Sequence, residues 1–259
     1  MPTIEIRNLT KEYVNEDTSG TNALEDINLT VSDGEFVCVL GPSGCGKSTL
    51  LEMTAGLLPQ TSGEIILDGK VQKGTSTDIG VVFQDAALFP WRSIRKNIEF
   101  GLEIMNINRA ERRKRAEAAI ELVGLKGFAD KYPHQLSGGM RQRAGLARTL
   151  AADPTVILMD EPFSAVDHLT RLTLQDEMVR IWQTQKKTIF FITHDVAEAV
   201  YLATRIVLLS PRPGRVQRIF DVPFERPRSR NDAEMLAIVE KIYVSINNPL
   251  SDSESEYAI

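Results

Sequence analysis

Hydrophobic and polar positions alternate at the start of the chain. Ile4, Glu5, Ile6 and Arg7 alternate in this way, and Ile27 to Val31 does so again after a polar stretch from Asn15 to Thr21. Successive strand residues face opposite ways, so this pattern predicts two half-exposed strands forming an antiparallel ribbon. The pattern then changes to short runs that are apolar almost throughout. Phe36–Leu40 and Ile79–Phe83 are two of them; Val156–Met159, Thr188–Thr193 and Arg205–Leu209 are three more. Continuous apolar runs of this length predict strands buried on both faces, as in a parallel sheet. Helical periodicity separates most of them: Leu174, Met178, Ile181 and Trp182 place one apolar face on a helix. The alternation predicts an α/β fold with a mostly parallel core sheet covered by helices.

Between Phe89 and Ala151 the strand signals vanish. Ala116, Ala119, Ile120 and Val123 form a helical stripe, and the neighbouring basic run Arg112–Arg115 reads as a solvated helix face. The expectation is a helical subdomain at about residues 87–150, inserted into an α/β domain that runs over residues 1–228. A C-terminal helix and an acidic tail are expected over residues 229–259, with the stretch after Pro249 expected to be disordered.

Composition narrows the function classes. A chain of 259 residues with 42% hydrophobic and 25% charged residues suits one large α/β domain with a smaller lobe. Its net charge of −5 argues against a general affinity for nucleic acid. Cys38 and Cys45 sit close together, one in an apolar run and one in a glycine-rich loop, so no disulfide framework is expected and reduced thiols fit the cytosol. The N-terminus lacks the apolar core of a signal peptide, and no stretch nears the roughly 18 apolar residues that span a bilayer. A chain that is soluble by itself is expected, with any membrane role reached through a partner.

Two motifs carry chemistry. Gly41-Pro42-Ser43-Gly44-Cys45-Gly46-Lys47-Ser48-Thr49 fits G-x-x-x-x-G-K-[ST] without a gap, after an apolar strand and before a helical pattern. Its glycines let backbone N–H groups point at anionic oxygens, and the helix from about Lys47 aims its positive end at the same point. Lys47 adds a charge for the β- and γ-phosphates, and Ser48 offers a hard oxygen to Mg²⁺. Cys45 reads as a small loop residue rather than a nucleophile. This motif alone marks a nucleoside-triphosphate binder without naming its family. The second motif is the strand Val156–Met159 running into Asp160 and Glu161. Neighbouring side chains on a strand point apart, so the two carboxylates take different tasks. Asp160 is placed to hold Mg²⁺, through a water, and Glu161 to polarise the water that attacks the γ-phosphate.

The segment Leu136-Ser137-Gly138-Gly139-Met140-Arg141-Gln142-Arg143 resembles the signature sequence of ATP-binding-cassette (ABC) proteins. Gln84 is similarly placed to the Q-loop glutamine of that family, Ser164-Ala165-Val166-Asp167 to its D-loop with valine where leucine is commoner, His194 to its H-loop histidine and Tyr13 to its adenine-stacking aromatic. The resemblance covers about Thr3 to Phe224. It implies a P-loop NTPase cassette with an N-terminal antiparallel β subdomain and an inserted helical subdomain. It implies MgATP hydrolysis with Glu161, His194, Gln84 and Lys47 as catalytic residues. ATP would be bound by Tyr13, Gly41–Thr49, Gln84 and Asp160, with Ser48, Gln84 and Asp160 toward the metal. Two cassettes would pair head to tail, so Ser137, Gly138, Gly139, Gln142 and Asp167 would reach the nucleotide of the opposite subunit.

Within that family the chain carries one phosphate loop, no heptad run and no cysteine cluster, which favours transport over chromosome maintenance, repair or ribosome work. Leu88-Phe89-Pro90-Trp91-Arg92-Ser93-Ile94-Arg95-Lys96-Asn97-Ile98 and Leu209-Ser210-Pro211-Arg212-Pro213-Gly214-Arg215-Val216 resemble the corresponding segments of importers of nitrate, sulfonate, taurine and bicarbonate. That resemblance implies two permease subunits, an extracytoplasmic solute-binding protein and a place on the cytoplasmic face of the inner membrane. Phe89, Pro90 and Trp91 would be exposed apolar anchors for the permease; the alternative packs Trp91 into the helical lobe. The competing readings are an exporter or lipid-transport ATPase, a soluble cassette acting on nucleic acid or ribosomes, and an inactive cassette that only binds ATP. The intact Glu161 and His194 argue against the last.

Overall fold

The computed structural model describes residues 4–14, 20–164 and 166–248. Ala165 of the D-loop segment, the polar residues 15–19 and the acidic tail 249–259 lie outside the described residues. In chain order the elements are β1 (Ile4–Val14), β2 (Gly20–Val31), β3 (Phe36–Leu40), α1 (Lys47–Thr54), β4 (Ser62–Leu67), β5 (Lys70–Val71) and β6 (Ile79–Val82). They continue with α2 (Ile94–Ile104), α3 (Arg109–Leu122), α4 (Gly138–Ala151), β7 (Val156–Asp160), α5 (His168–Gln185), β8 (Thr188–Ile192), α6 (Val196–Leu202), β9 (Arg205–Leu209), β10 (Val216–Asp221) and α7 (Ala233–Asn247). Among the described residues no helix is long and apolar enough to cross a membrane. The chain divides into two compact units, Met1–Ser76 with Thr188–Ile259, and Thr77–Lys187.

The first unit holds an antiparallel sheet in the order β2-β1-β4-β5. Ile4 pairs with Val31, Ile6 with Leu29 and Leu9 with Ile27, and all six side chains are buried. The alternation read from the sequence thus places one apolar face of the ribbon inward. The same unit holds β3 between β8 and β9, parallel to both, with β10 antiparallel to β9. Every residue of β3 and β8 is buried, as their unbroken apolar runs require. Helix α7 packs on α6, and Asp232 caps its N-terminus by accepting from the N–H groups of Glu234 and Met235.

In the second unit β6 and β7 are parallel, Ile79 opposite Val156 and Val82 opposite Met159. β7 is buried from Val156 to Met159, but Ile79–Phe83 departs from the fully buried run expected. Only Val82 is buried there, and Phe83 is exposed, because β6 ends its sheet and pairs with β7 alone among the described residues. Helices α2, α3 and α4 pack against one another. Ala116, Ala119, Ile120 and Val123 are buried as a stripe. The basic run beside them is only partly solvated. Arg113 and Lys114 face water, whereas Arg112 turns toward Glu99 and Glu103 at 3.9 and 4.0 Å and Arg115 pairs with Glu111 at 2.9 Å. The carboxylates supplied by α2 and by the first turn of α3 draw these two arginines off the solvent face.

Candidate functional site

The phosphate loop leaves the end of β3 and enters α1 at Lys47. Gly46 has φ of 101°, and a Cβ there would sit 2.8 Å from Leu24 Cδ2 and 2.9 Å from the Ala23 carbonyl oxygen. Both backbone and packing therefore demand glycine. No side chain caps α1, which leaves its first N–H groups to an anion. Lys47 is largely buried, and its Nζ donates to the carbonyls of Gly41 at 2.8 Å and Pro42 at 3.1 Å, which holds the ammonium over the loop. Ser43, Gly44 and Ser48 are exposed, and Gly41, Pro42 and Thr49 are half-buried. Cys45 is a free, buried thiol pushed up by burial, with Lys47 acting the other way, so it packs rather than attacks. Cys38 is also free and buried. A polyphosphate fits this loop by the chemistry of its donors: open helix N–H groups, a held lysine and an exposed serine hydroxyl suited to Mg²⁺.

A support of this loop escaped the sequence reading. Segment 210–215 lies against β2, where Gly214 N–H donates to the Ala23 carbonyl and Glu25 N–H to the Gly214 carbonyl, each at 3.0 Å. A Cβ on Gly214 would stand 2.1 Å from the carbonyl oxygen of Cys45. The motif that resembled anion importers is therefore also a buttress beneath the phosphate loop. A glycine bracketed by Pro213 and Arg215 was the only signal of that closeness.

His194 follows β8, whose Ile192 lies opposite Val39 of β3, so the histidine and the phosphate loop emerge from the same ends of adjacent parallel strands. Ligands of open α/β sheets bind outside those carboxyl ends. His194 is exposed there. Tyr13 stands in the antiparallel sheet opposite Thr21, 39% exposed, with Lys11 Nζ 5.2 Å from its ring centroid.

In the second unit Gln84 and Asp160 likewise emerge from the ends of parallel strands, β6 and β7. Gln84 is exposed and Asp160 half-buried. Glu161 has φ of 42°, a left-handed conformation that a non-glycine residue holds at a cost of about 1–3 kcal/mol. Its carbonyl accepts from the Ser164 N–H at 3.1 Å and hydroxyl at 2.9 Å, which fixes the turn. Ser137 is the N-cap of α4 and accepts from the Met140 N–H at 3.3 Å. Gly138 is exposed and Gly139 buried, where a Cβ would lie 2.6 Å from Thr170 Cγ2 of α5. Asp167 caps α5 through the Thr170 N–H at 3.1 Å, and hydrogen bonds from the Thr170 side chain and N–H lower its pKa.

Gln142 has a place the sequence did not suggest. It is buried, and its Nε2 donates to the Phe83 carbonyl at 3.1 Å. Arg148 donates to the carbonyls of Ala86 at 2.7 Å and Ala87 at 2.8 Å, and Thr149 to that of Val81 at 3.2 Å. One face of α4 thus grips the backbone on both sides of Gln84. Beyond it, Trp91 is 72% exposed and Pro90 is exposed, whereas Phe89 is half-buried with its ring edge-on to Phe100 at 4.6 Å. Of the expected apolar anchors, Trp91 and Pro90 face outward and Phe89 turns in.

Comparison with known proteins identifies the family. The ABC transporter family profile matches residues 24–164. An uncharacterized ABC transporter ATP-binding protein of Methanocaldococcus jannaschii is 52% identical over 92% of this chain and 89% of its own length. The taurine import ATP-binding protein TauB of Escherichia coli is 48% identical over 81% of this chain and 82% of its own. Among solved structures, the dimeric post-hydrolysis cassette MJ0796 bound to ADP and Pi superposes with a TM-score of 0.75 at 33% identity, covering 86% of this chain and 100% of that one. CbiO1 from Clostridium perfringens, part of the ABC transporter complex cbiONQ, gives 0.77 at 28% identity over 95% and 94%. With its phosphate loop, acidic strand end and signature helix in the family's order, the chain belongs to the ABC transporter family, as an ATP-binding domain that hydrolyses ATP with Mg²⁺.

Proposed function

We propose that this chain energises an importer for a small solute, an anion such as nitrate, a sulfonate such as taurine, or bicarbonate. It works as a pair of cassettes on the cytoplasmic face of the cell membrane, beneath two permease subunits fed by a solute-binding protein. The nucleotide-binding domain is residues 1–228 with its helical subdomain at about 87–150, and residues 229–259 form a C-terminal extension.

The observation that carries import is the 48% identity with a taurine import ATP-binding protein across most of both chains. Trp91, 72% exposed beside exposed Pro90, adds a large apolar side chain free for a permease helix. The net charge of −5 gives no support to nucleic acid as a partner.

The roles follow from the chemistry of each group. The N–H groups of Gly41–Thr49 and the Lys47 ammonium bind the phosphates, and Tyr13 stacks on the adenine. Ser48, Asp160 and Gln84 would hold Mg²⁺ through hard oxygens, and the bound ion would supply charge neutralisation to the phosphates. Glu161 takes up the proton of the attacking water, and His194 contacts the γ-phosphate and orients that water. Ser137, Gly138 and Gly139, at the N-terminus of α4, face the γ-phosphate held by the other copy, and Gln142 and Asp167 also serve that copy's nucleotide.

The test is genetic and biochemical together. Deletion of the gene should abolish uptake of one of nitrate, taurine or bicarbonate, and the chain should co-purify with a membrane permease. Retained uptake of all three, with salt-sensitive binding of the purified chain to RNA or DNA, would remove the proposal.

A further inference from the structure

We infer that Thr193 and Glu198 are a positioning pair for His194; this rests on the role given to His194 above. His194 is an exposed residue between two anchored neighbours. Thr193 is 2% exposed, and its hydroxyl donates to Glu198 Oε2 at 2.5 Å while accepting from the Asp195 N–H at 3.0 Å. The Asp195 carboxylate accepts from the Glu198 N–H at 3.0 Å. Three bonds therefore close residues 193–198 into a bracket with His194 at its outer turn.

Glu198 cannot drift. It is 6% exposed on α6, a seven-residue helix in which all but Ala197 are buried. The far end of α6 is clamped as well. Arg228 donates to the carbonyls of Val200 at 2.9 Å, Tyr201 at 3.0 Å and Ala203 at 2.6 Å, and Arg226 donates to those of Tyr201 and Leu202. Strand β8 fixes the chain on the other side, where Thr193 N–H donates to the Val39 carbonyl at 3.3 Å.

The cap on α6 does not need this pair, because Asp195 supplies it. Volume does not need it either, since valine would fill the same buried space as Thr193, although it would take this bond from the Glu198 carboxyl and the Asp195 N–H, which is why thermal midpoints are measured beside turnover. What the hydroxyl adds is a buried hydrogen bond to the Glu198 carboxyl group, which sets the backbone entering His194. Orientation of that imidazole is the quantity a γ-phosphate contact depends on, and small misplacements of a positioned group lower turnover steeply.

The experiment compares Thr193→Val, Thr193→Ser, Glu198→Gln and His194→Ala in the full chain, together with Thr193→Val in the His194→Ala background. ATPase turnover, KM for ATP and thermal midpoints are measured. Thr193→Val should lower kcat about 10- to 100-fold with KM unchanged. Thr193→Ser should restore turnover, and Thr193→Val should add nothing once His194 is gone. If Thr193→Val does not fold, Glu198→Gln carries the same comparison. Normal turnover in both Thr193→Val and Glu198→Gln, beside a loss in His194→Ala, overturns the pairing alone. A further loss in the double variant overturns it too, by showing a route that bypasses His194. Normal turnover in His194→Ala overturns the role of the histidine and the pairing with it.

Discussion

Asn97 holds Phe89 from both sides: its Oδ1 accepts the Phe89 N–H at 2.7 Å, and its Nδ2 donates to the Phe89 carbonyl at 3.2 Å. The same Nδ2 lies 3.0 Å from the carbonyls of Arg92 and Ser93. One fully buried amide on α2 therefore shapes the loop that carries Trp91 outward. A loop with exposed apolar residues does not hold its form by burial, and a side-chain amide can replace that force by satisfying several backbone groups at once.

Asn97→Ala should destabilise the chain by about 2–4 kcal/mol, since it takes the amide from the Phe89 N–H and the Arg92 carbonyl, while the Phe89 and Ser93 carbonyls keep the N–H groups of Arg92 and Asn97. Chemical denaturation gives the stability, and Trp91 fluorescence anisotropy in a Trp182→Phe background reports the loop. Unchanged stability and anisotropy would mean that the loop is held by something other than Asn97.

Gln142→Leu separates two roles for that residue. If its bond to the Phe83 carbonyl is its task, the variant should lose about 1–3 kcal/mol of stability without nucleotide, because the carbonyl is left unpaired. If it serves the opposite copy's ATP instead, apo stability should hold while ATP-driven pairing weakens. Denaturation of the apo chain and light scattering with MgATP tell these apart.

What could be read in advance followed from short-range chemistry. The apolar runs of β3, β7, β8 and β9 and the polar-apolar beat of β1 and β2 carry their own periodicity. The loop Gly41–Thr49 and the pair Asp160–Glu161 are contiguous, so their residue types speak together. Ile79–Phe83 misled because an edge strand and a central one can have the same composition, and neighbours decide which it is. The remaining features depend on partners far along the chain. Gly139 is small because of Thr170, Gly214 because of Cys45, and Gln142 is buried because of Phe83. No local pattern records such contacts.

Glu161 combines a strained backbone with a proposed general base. Glu161→Gln should keep ATP binding and hold the paired state while turnover falls about 10²–10⁴-fold. Glu161→Gly should be equally inactive, yet more stable by roughly 1 kcal/mol, because glycine accepts φ of 42° without strain. Single-turnover ATPase and thermal midpoints measure both. A Glu161→Gln variant with near-normal turnover removes the proposed base.

Lys47→Ala should weaken ATP affinity, seen by calorimetry, because the ammonium above the Gly41 and Pro42 carbonyls is the one full positive charge within the loop. Equal affinity in the variant would contradict a phosphate contact.

Gly214→Ala tests whether the distant segment supports the phosphate loop. The added methyl would lie 2.1 Å from the Cys45 carbonyl oxygen and 2.9 Å from Leu24 Cδ2, so something must move. The Leu24 side chain could turn aside, but the Cys45 carbonyl is backbone within the loop itself. Segment 210–215 is held in turn by both Gly214 bonds to β2, by Ser210 N–H to the Arg215 carbonyl at 2.9 Å and by the Arg215–Glu25 pair at 3.1 Å. The strain therefore falls on the phosphate loop, where a shift of an ångström spoils the aim of several N–H groups together. ATP affinity should drop while Cys45, now buried at 1% exposure, becomes faster to label with a thiol reagent. Gly34→Ala is the control: its Cβ would meet nothing within 4 Å, and its positive φ of 70° brings backbone strain without touching the loop. If Gly214→Ala and Gly34→Ala lose stability alike and both keep their affinity, the buttress has no part in binding.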